Sequence, residues 1–166
     1  MSDKRYILTK EEANQKILRM SIQLAENLTD SSAPVILIGI KENGLVLADK
    51  VSGLLKNYIS NSIKTISIEL DKGHPKTVLL SENLDALGAN MVLIDDVANS
   101  GRTMLYALKP LLDMYPRSIQ TMVLVERMHK LFPVEPNYVG LSLATTQENH
   151  IQVEVINGEI TGAFVI

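Results

Sequence analysis

The stretch that decides the fold lies at residues 91–103 and reads Met91-Val92-Leu93-Ile94-Asp95-Asp96-Val97-Ala98-Asn99-Ser100-Gly101-Arg102-Thr103. Its four leading apolar residues are typical of a strand buried on both faces, and a helical pattern at 103–114 follows. The paired acids Asp95-Asp96 and a loop of small residues connect this strand to the helix. In an open parallel sheet, ligands bind at the carboxyl ends of the strands, where helix N-termini point at the ligand. The stretch therefore predicts a parallel α/β sheet and the position of a binding site.

Strand and helix patterns also precede this stretch. Thr9 and Glu12 form a capping-box pattern that opens a helix with apolar residues at spacings of three and four: Ala13, Ile17, Met20, Leu24 and Leu28. Residues 35–40 predict a second buried strand. The helix after it carries Leu47, Val51, Leu54, Leu55 and Tyr58 on one side. Residues 63–70 alternate in polarity, which predicts a half-exposed strand, and 77–80 predict a short one.

The chain continues with further strands after the helix that Pro116 is expected to stop. Residues 119–125 predict a buried strand and 138–143 a short one. Asn157-Gly158 is a strong hairpin signal between two further strand patterns. The whole order predicts an α/β fold, with a central, mostly parallel sheet flanked by helices and a C-terminal antiparallel hairpin. We expect a single domain over residues 1–166.

The composition excludes several classes of protein. Of 166 residues, 46% are apolar and 21% charged, which suits a globular domain with a sizeable core. The net charge of −3 argues against a protein that mainly neutralises phosphate backbones. Cysteine is absent, which fits a reducing compartment. The start resembles no signal peptide, and the apolar runs are too short to cross a bilayer, so we expect no membrane segment and a cytoplasmic location.

The residues of the central loop suit a phosphate monoester. Gly101 permits a close approach or a positive φ, so that successive backbone N–H groups of the loop can turn toward one point. The helix dipole and the hydroxyls of Ser100 and Thr103 add to the attraction. The carboxylates of Asp95 and Asp96 suit ribose hydroxyls or an Mg²⁺ shell. A P-loop at 39–44 is excluded because Leu45-Val46 stand where it needs Lys and Ser or Thr.

Residues 91–103 closely resemble the phosphoribosyl-pyrophosphate signature of type I phosphoribosyltransferases. Four apolar residues, two acids, small residues and Ser-Gly-Arg-Thr follow each other as in that signature. Residues 7–9, 38–41, 116–129 and 138–140 also resemble the branch of pyrimidine-operon attenuation regulators and uracil phosphoribosyltransferases. The resemblance covers most of the chain except about 57–90.

The resemblance implies roles for individual residues. Asp95 and Asp96 would hold the ribose hydroxyls and would be the catalytic carboxylates. The 5-phosphate would be bound by Ala98, Asn99, Ser100, Gly101, Arg102 and Thr103. Pyrophosphate would contact the turn that holds Ile40, Lys41 and Gly44. A flexible lid would lie at 71–76. The segment 132–146, with Val139, would form a small hood that recognises the base, and Arg127 is expected to contact the substrate.

The resemblance implies an Mg²⁺-dependent transferase that joins a nucleobase to the ribose 5-phosphate of phosphoribosyl pyrophosphate, with uracil the expected base. It also implies a homodimer or larger homo-oligomer. Two other functions stay open: a purine phosphoribosyltransferase, and an RNA-binding attenuation regulator that senses uridine nucleotides with little catalysis. For the RNA-binding regulator, a basic face of the first helix with Lys10, Lys16 and Arg19 would be needed.

The sequence departs from that branch at three places. The stretch before residue 91 is shorter, which abbreviates the lid. Glu126-Arg127-Met128-His129 stands where the branch has Asp-Arg-Gly-His. The turn at 41–44 is less basic, and Glu42 is expected to offset the charge of Lys41. Arg127 and His129 also fit ordinary surface groups at a strand end, and Lys72, His74 and Lys76 also fit a solvated turn.

Overall fold

A computed structural model describes residues 3–30, 32–71, 77–146 and 149–166. Within these ranges the elements follow in the order β1 (Arg5–Thr9), α1 (Lys10–Asn27), β2 (Val35–Ile40), α2 (Asn43–Leu55), β3 (Ile63–Glu69), β4 (Leu79–Leu80), β5 (Asn90–Ala98), α3 (Arg102–Leu112), β6 (Ser118–Arg127), β7 (Tyr138–Leu143), β8 (Ile151–Ile156) and β9 (Glu159–Val165). The predicted lid at 71–76 lies outside the described residues, apart from Asp71.

The larger sheet has the strand order β4-β3-β2-β5-β6-β7. The neighbours from β3 to β7 pair in parallel, and the short strand β4 pairs antiparallel with β3. The central strands β2 and β5 lie side by side, with Gly39 in register with Ile94, so their carboxyl ends meet. The predicted mostly parallel α/β sheet is confirmed.

A smaller antiparallel sheet has the order β1-β9-β8. Asn157 and Gly158 have φ values of 52° and 75° in the tight turn between β8 and β9, so the predicted hairpin is confirmed. The N-terminal strand β1, which the sequence analysis did not predict, completes this sheet. Within the segment expected as a hood, β7 pairs with β6 and extends the larger sheet.

Two apolar cores lie on opposite faces of the larger sheet. One packs against α1, α2 and the smaller sheet, and the other packs beneath α3. The predicted capping box of α1 is present: Glu12 N donates to Thr9 Oγ1 at 3.2 Å, and Thr9 N donates to Glu12 Oε2 at 2.8 Å. No helix within the described ranges has the length and apolar character needed to span a bilayer.

Two local predictions were wrong. Residues 66–68 of β3 are all buried, because β3 lies between β2 and β4 and is covered on both faces there. Tyr58 lies beyond the end of α2 and is exposed, so it takes no part in the apolar face of that helix. The helix α3 ends at Leu112, close to its predicted end and before Pro116.

Candidate active site

The paired acids lie near the carboxyl end of the central strand β5 and are nearly buried, with Asp95 3% and Asp96 9% exposed. Asp96 N donates to Asp95 Oδ1 at 2.8 Å, and Val97 N donates to Asp96 Oδ1 at 2.9 Å. Successive side chains of a strand point to opposite faces. Asp95 accordingly lines a cavity beside α3, whereas Asp96 lies on the side of α2. The two carboxylates thus serve different parts of one site.

The first turn of α2 packs directly against these acids. Asn43 Nδ2 donates to Asp96 Oδ2 at 2.9 Å and to the carbonyl of Val153 in β8 at 3.2 Å. Gly44 lies so close to β5 that a Cβ atom there would come within 2.7 Å of the Ile94 carbonyl oxygen. The amide of Asn43 therefore joins α2, the smaller sheet and Asp96.

The loop after β5 turns into α3 through a left-handed residue. Gly101 is the N-cap of α3 and has a φ of 85°. The first helical hydrogen bond runs from Leu105 N to the Gly101 carbonyl at 3.0 Å. A cavity of about 70 Å³ lies within this turn, lined by Asp95, Val97, Ala98, Asn99, Ser100, Gly101, Thr103 and Met104. The first turn of a helix has backbone N–H groups without intrahelical partners, so this cavity suits an anion.

A second segment holds the phosphate loop, residues 98–103, from the outside. The N–H groups of Leu131 and Phe132 both donate to the Ser100 carbonyl at 3.0 Å. The guanidinium carbon of Arg102 lies 5.3 Å from the centre of the Phe132 ring. Arg102 N also donates to Ser100 Oγ at 3.2 Å. The side chain of Arg102 thus turns toward Phe132, while its backbone remains part of the phosphate loop.

The turn after β2 lies at the carboxyl end of the neighbouring strand. Ile40 is buried at the end of β2, and the peptide bond between Lys41 and Glu42 is cis. Lys41 Nζ lies 3.4 Å from Glu69 Oε2 at the end of β3. Glu69 therefore forms an ion pair with Lys41 that the sequence analysis did not predict. A cavity of about 300 Å³ lies beside this pair.

Arg127 ends β6 and is only 6% exposed. Its guanidinium donates to the backbone carbonyls of Thr146 and Asn149. The same side chain lines a cavity of about 240 Å³ with Asn99, Ser100, His129, Leu131 and His150. Arg127 thus connects the end of β6 to the chain before β8, next to the phosphate loop.

Val139 lies apart from the other predicted site residues. It is the second residue of β7, four residues before the end of that strand. Its carbonyl accepts a hydrogen bond from Arg19 Nη2 at 2.9 Å, and its side chain packs into the core beneath α3. The predicted contact of Val139 with a base stays a prediction.

The sequence analysis did not predict two sets of contacts at this site. Asn43 belongs to the expected pyrophosphate turn, and its contact with Asp96 had an available signal, since this turn follows β2 and the parallel neighbour β5 ends at the same edge of the sheet. The backbone of Leu131 and Phe132 carries no such signal, because its hydrogen bonds to Ser100 depend on the path of an irregular segment.

The acidic residues suit a metal that arrives with its substrate. Among the described residues, no group of three or more His, Asp or Glu side chains lies close enough to hold a metal ion alone. Mg²⁺ is usually bound in proteins by one or two carboxylates together with substrate phosphates and water. Asp95 and Asp96 each supply one carboxylate at this edge of the sheet, so the residues present fit Mg²⁺ bound by one of them together with the substrate.

The arrangement of sheet, paired acids and phosphate loop is that of type I phosphoribosyltransferases. The hypoxanthine phosphoribosyltransferase of Trypanosoma cruzi superposes with a TM-score of 0.79 at 15% identity, over 99% of this chain and 95% of that one. The hypoxanthine-guanine phosphoribosyltransferase of Bacillus anthracis superposes with a TM-score of 0.69 at 15% identity, over 85% and 83% of the two chains. These likenesses show the fold.

The phosphoribosyl transferase domain family matches residues 7–156, and the chain belongs to that family. It is 30% identical to the bifunctional protein PyrR of Corynebacterium diphtheriae, over 89% of this chain and 84% of the relative. It is 31% identical to the bifunctional protein PyrR of Nostoc punctiforme, over 91% of this chain and 89% of the relative. The predicted superfamily and branch are confirmed.

Proposed function

We propose that this chain transfers the phosphoribosyl group of phosphoribosyl pyrophosphate to uracil, with release of pyrophosphate and with Mg²⁺ as cofactor. The observation that carries the proposal is the phosphate loop, whose left-handed Gly101 leads into the N-terminus of α3 beside Asp95 and Asp96. An anion cradle next to two acceptor-only carboxylates suits a ribose 5-phosphate. Membership of the phosphoribosyl transferase domain family supports the same class of activity.

The 5-phosphate would bind in the cavity of the phosphate loop. The Ser100 carbonyl is directed toward Leu131 and Phe132. Since the C=O and N–H of a trans peptide point in opposite directions, the Gly101 N–H points away from that segment. The hydroxyls of Ser100 and Thr103 add further donors. Such fixed donors bind the phosphate and orient the sugar attached to it.

Asp95 and Asp96 would hold the ribose and stabilise the charge that develops on it. The bond from C1 of the sugar to pyrophosphate breaks, a nitrogen of the base attacks C1, and the sugar passes through a state with positive charge. Carboxylates that are already oriented by backbone N–H groups stabilise such charge without reorganisation. Correct orientation of the bound reactants can supply a further ~7–11 kcal/mol.

The proposal includes Mg²⁺, which the acids at the end of β5 would hold. When bound, Mg²⁺ would supply positive charge to the departing pyrophosphate. Asp95 or Asp96 would hold the ion at the carboxyl end of β5. Ile40, Lys41 and Gly44 would line the pyrophosphate side. There the ammonium of Lys41 would exchange its contact with Glu69 for one with the leaving group.

The choice of uracil rests on the branch of relatives. The relatives at about 30% identity carry the name of bifunctional PyrR proteins, whereas the hypoxanthine enzymes at 15% identity support only the fold. In this proposal Arg127 holds the backbone carbonyls of Thr146 and Asn149 and itself lines the cavity that also contains Asn99. The position of Val139 in β7, four residues before the end of the strand, gives the expected base contact no support.

RNA binding is less well supported by the basic residues of α1. Lys10 Nζ donates to Glu159 Oε2 at 2.7 Å, and Arg19 donates to the carbonyls of Val139 and Gly140. Two of the three cations proposed for an RNA face thus already have partners within the chain. A homodimer or larger assembly, a cytoplasmic location and a single domain over residues 1–166 stay predictions.

The experiment is incubation with phosphoribosyl pyrophosphate, Mg²⁺ and one base at a time, followed by identification of the nucleotide. The bases are uracil, hypoxanthine, guanine, adenine and cytosine. Uridine 5′-monophosphate as the main product supports the proposal, and a purine nucleotide instead would assign the enzyme to purine salvage. Titration with pyrimidine-operon leader RNA at several salt concentrations tests the regulator. Tight, salt-sensitive binding without turnover would favour it.

A further inference from the structure

A largely buried ion pair that the proposed chemistry does not use lies beside the phosphate loop. Lys130 Nζ donates to Glu126 Oε2 at 2.6 Å, and Glu126 Oε1 accepts from the Ser142 hydroxyl at 2.8 Å. Only 10% of the Lys130 side chain and 14% of the Glu126 side chain are exposed. The attraction within such a pair often fails to offset the lost hydration, so the pair is weak evidence for a stabilising role.

The pair joins the end of β6 to the segment that packs on the phosphate loop. Glu126 lies in register with Ala98 at the end of β5. Lys130 directly precedes Leu131 and Phe132, whose N–H groups hold the Ser100 carbonyl. The position of Lys130 therefore sets where these two donors meet the phosphate loop.

Segment 130–132 packs tightly against Gly101. A Cβ atom on Gly101 would lie 3.2 Å from the Phe132 carbonyl oxygen and 3.6 Å from Lys130 Cδ. The Ser100 carbonyl and the Gly101 N–H belong to one planar peptide unit. Whatever fixes the direction of that carbonyl therefore also fixes the direction of the N–H that faces away from segment 130–132.

We propose that Glu126 and Lys130 are positioning residues for the 5-phosphate. Their ion pair, braced by Ser142, holds segment 130–132 against Ser100 and so aims the amides of the phosphate loop. Both residues act through the loop and not by touching the substrate. This inference deepens the proposed function and rests on the phosphate-binding role given there to the loop.

The direction in which the affinity for ribose 5-phosphate changes distinguishes a positioning role from a purely electrostatic one. Glu126→Gln removes a negative charge near a bound phosphate, so Coulomb attraction alone predicts tighter binding. Lys130→Gln removes a positive charge and predicts weaker binding by the same reasoning. Positioning predicts that both variants bind ribose 5-phosphate more weakly. The two explanations therefore differ for Glu126→Gln.

The test measures the affinity for ribose 5-phosphate by calorimetry at fixed ionic strength. We expect Glu126→Gln and Lys130→Gln each to bind about tenfold more weakly, equivalent to about 1.4 kcal/mol. The double variant should bind no more weakly than the worse single variant, because both changes break the same pair. The control is Glu135→Gln, which removes an exposed acid that lines one cavity together with Glu126 and Lys130 and should leave the affinity unchanged.

A milder variant covers the case in which the charge variants fail to fold. Ser142→Ala leaves the ion pair intact and removes one hydrogen bond to Glu126, so we expect about threefold weaker binding. In turnover assays with phosphoribosyl pyrophosphate, these variants should raise KM more than they lower kcat. A purely structural role would lower the melting temperature without changing the affinity of the folded protein.

Amide resonances of Ser100, Gly101 and Arg102 without ligand give an independent readout. They should shift in Glu126→Gln and Ser142→Ala and stay in place in Glu135→Gln. Wild-type affinity or tighter binding in Glu126→Gln, or unmoved resonances, would overturn the inference. Failure of the wild type itself to bind ribose 5-phosphate would instead remove the proposed function, and with it the phosphate-binding role on which the inference rests.

Discussion

Asn43 Nδ2 donates to Asp96 Oδ2 at 2.9 Å, which joins the first turn of α2 to the carboxyl end of β5. The two residues are 53 positions apart in sequence, and they meet because β2 and β5 are parallel neighbours. The bond leaves the Asp96 carboxylate with one oxygen held by an amide side chain and the other by the Val97 backbone. The orientation of the Asp96 carboxylate therefore depends on Asn43.

Asp96→Asn should lower nucleotide formation by about 10²-fold or more, as expected when one preorganised electrostatic group is lost from a reacting centre. The overall fold should persist, since the side chain lies at the end of a strand rather than within the apolar core. Steady-state kinetics and circular dichroism measure the two effects. Asp49→Asn, at an exposed position of α2, is the matched control. Turnover like that of the wild type in Asp96→Asn would show that the acid is not used as proposed.

Asn43→Ala should lower kcat/KM about tenfold, equivalent to about 1.4 kcal/mol, because Asp96 loses one of its orienting donors. Asn43→Asp should lower kcat/KM further, since it places a second carboxylate next to that of Asp96. Two like charges at this distance raise the pKa of one of the two carboxyls. The activity of this variant should therefore rise with decreasing pH over a range where wild-type activity is flat. A pH–rate profile identical to that of the wild type would contradict the predicted contact.

Gly101→Ala should weaken ribose 5-phosphate binding and lower the free energy of unfolding by about 1–2 kcal/mol, because a side chain is disfavoured at φ 85°. The added Cβ would also press against the Phe132 carbonyl. Gly53→Ala is the control, since nothing lies within 4 Å of a Cβ atom at this position in the last turn of α2. That change should stabilise the protein by about 0.5–1 kcal/mol. Equal effects of the two changes on unfolding by urea would argue against the special role of Gly101.

These local features differ in how far the sequence alone predicts them. The capping box at Thr9 and the hairpin at Asn157 depend on neighbouring residues, so their patterns were sufficient. β1 depends on pairing with β9, more than 140 positions away along the chain. A short segment with exposed side chains carries little signal of such a partner.

Parts of the candidate site also differ in how far the sequence alone predicts them. The acids and the phosphate loop follow one another along the chain, so their pattern could be interpreted without a structure. The ion pair between Lys41 and Glu69 depends on the alignment of β2 with β3, which brings residues 28 positions apart together. The sheet that β7 joins could not be predicted, because a short apolar strand pattern does not specify its pairing partner.

Ser32→Ala should raise the pKa of Asp30, which now lies at about 2. The Ser32 hydroxyl donates to Asp30 Oδ1 at 2.6 Å and lowers this pKa most, followed by Arg117. Because the pKa is depressed in the folded protein, the stabilisation is present above the ordinary value near 3.8 and is lost as the pH falls toward 2. Carboxyl resonances of Asp30 followed against pH measure the change. An unaltered midpoint in Ser32→Ala would contradict this assignment.

The most direct measurement is a titration of ¹⁵N-labelled protein with ribose 5-phosphate, with ribose lacking the phosphate as the control. If the phosphate loop binds the phosphate, the amide resonances of residues 98–103 should shift saturably, while Gly158 in the distant hairpin turn should not move. Ribose alone should leave the loop resonances in place. Saturable binding with unmoved resonances at 98–103, or no binding at all, would show that this loop is not the phosphate site.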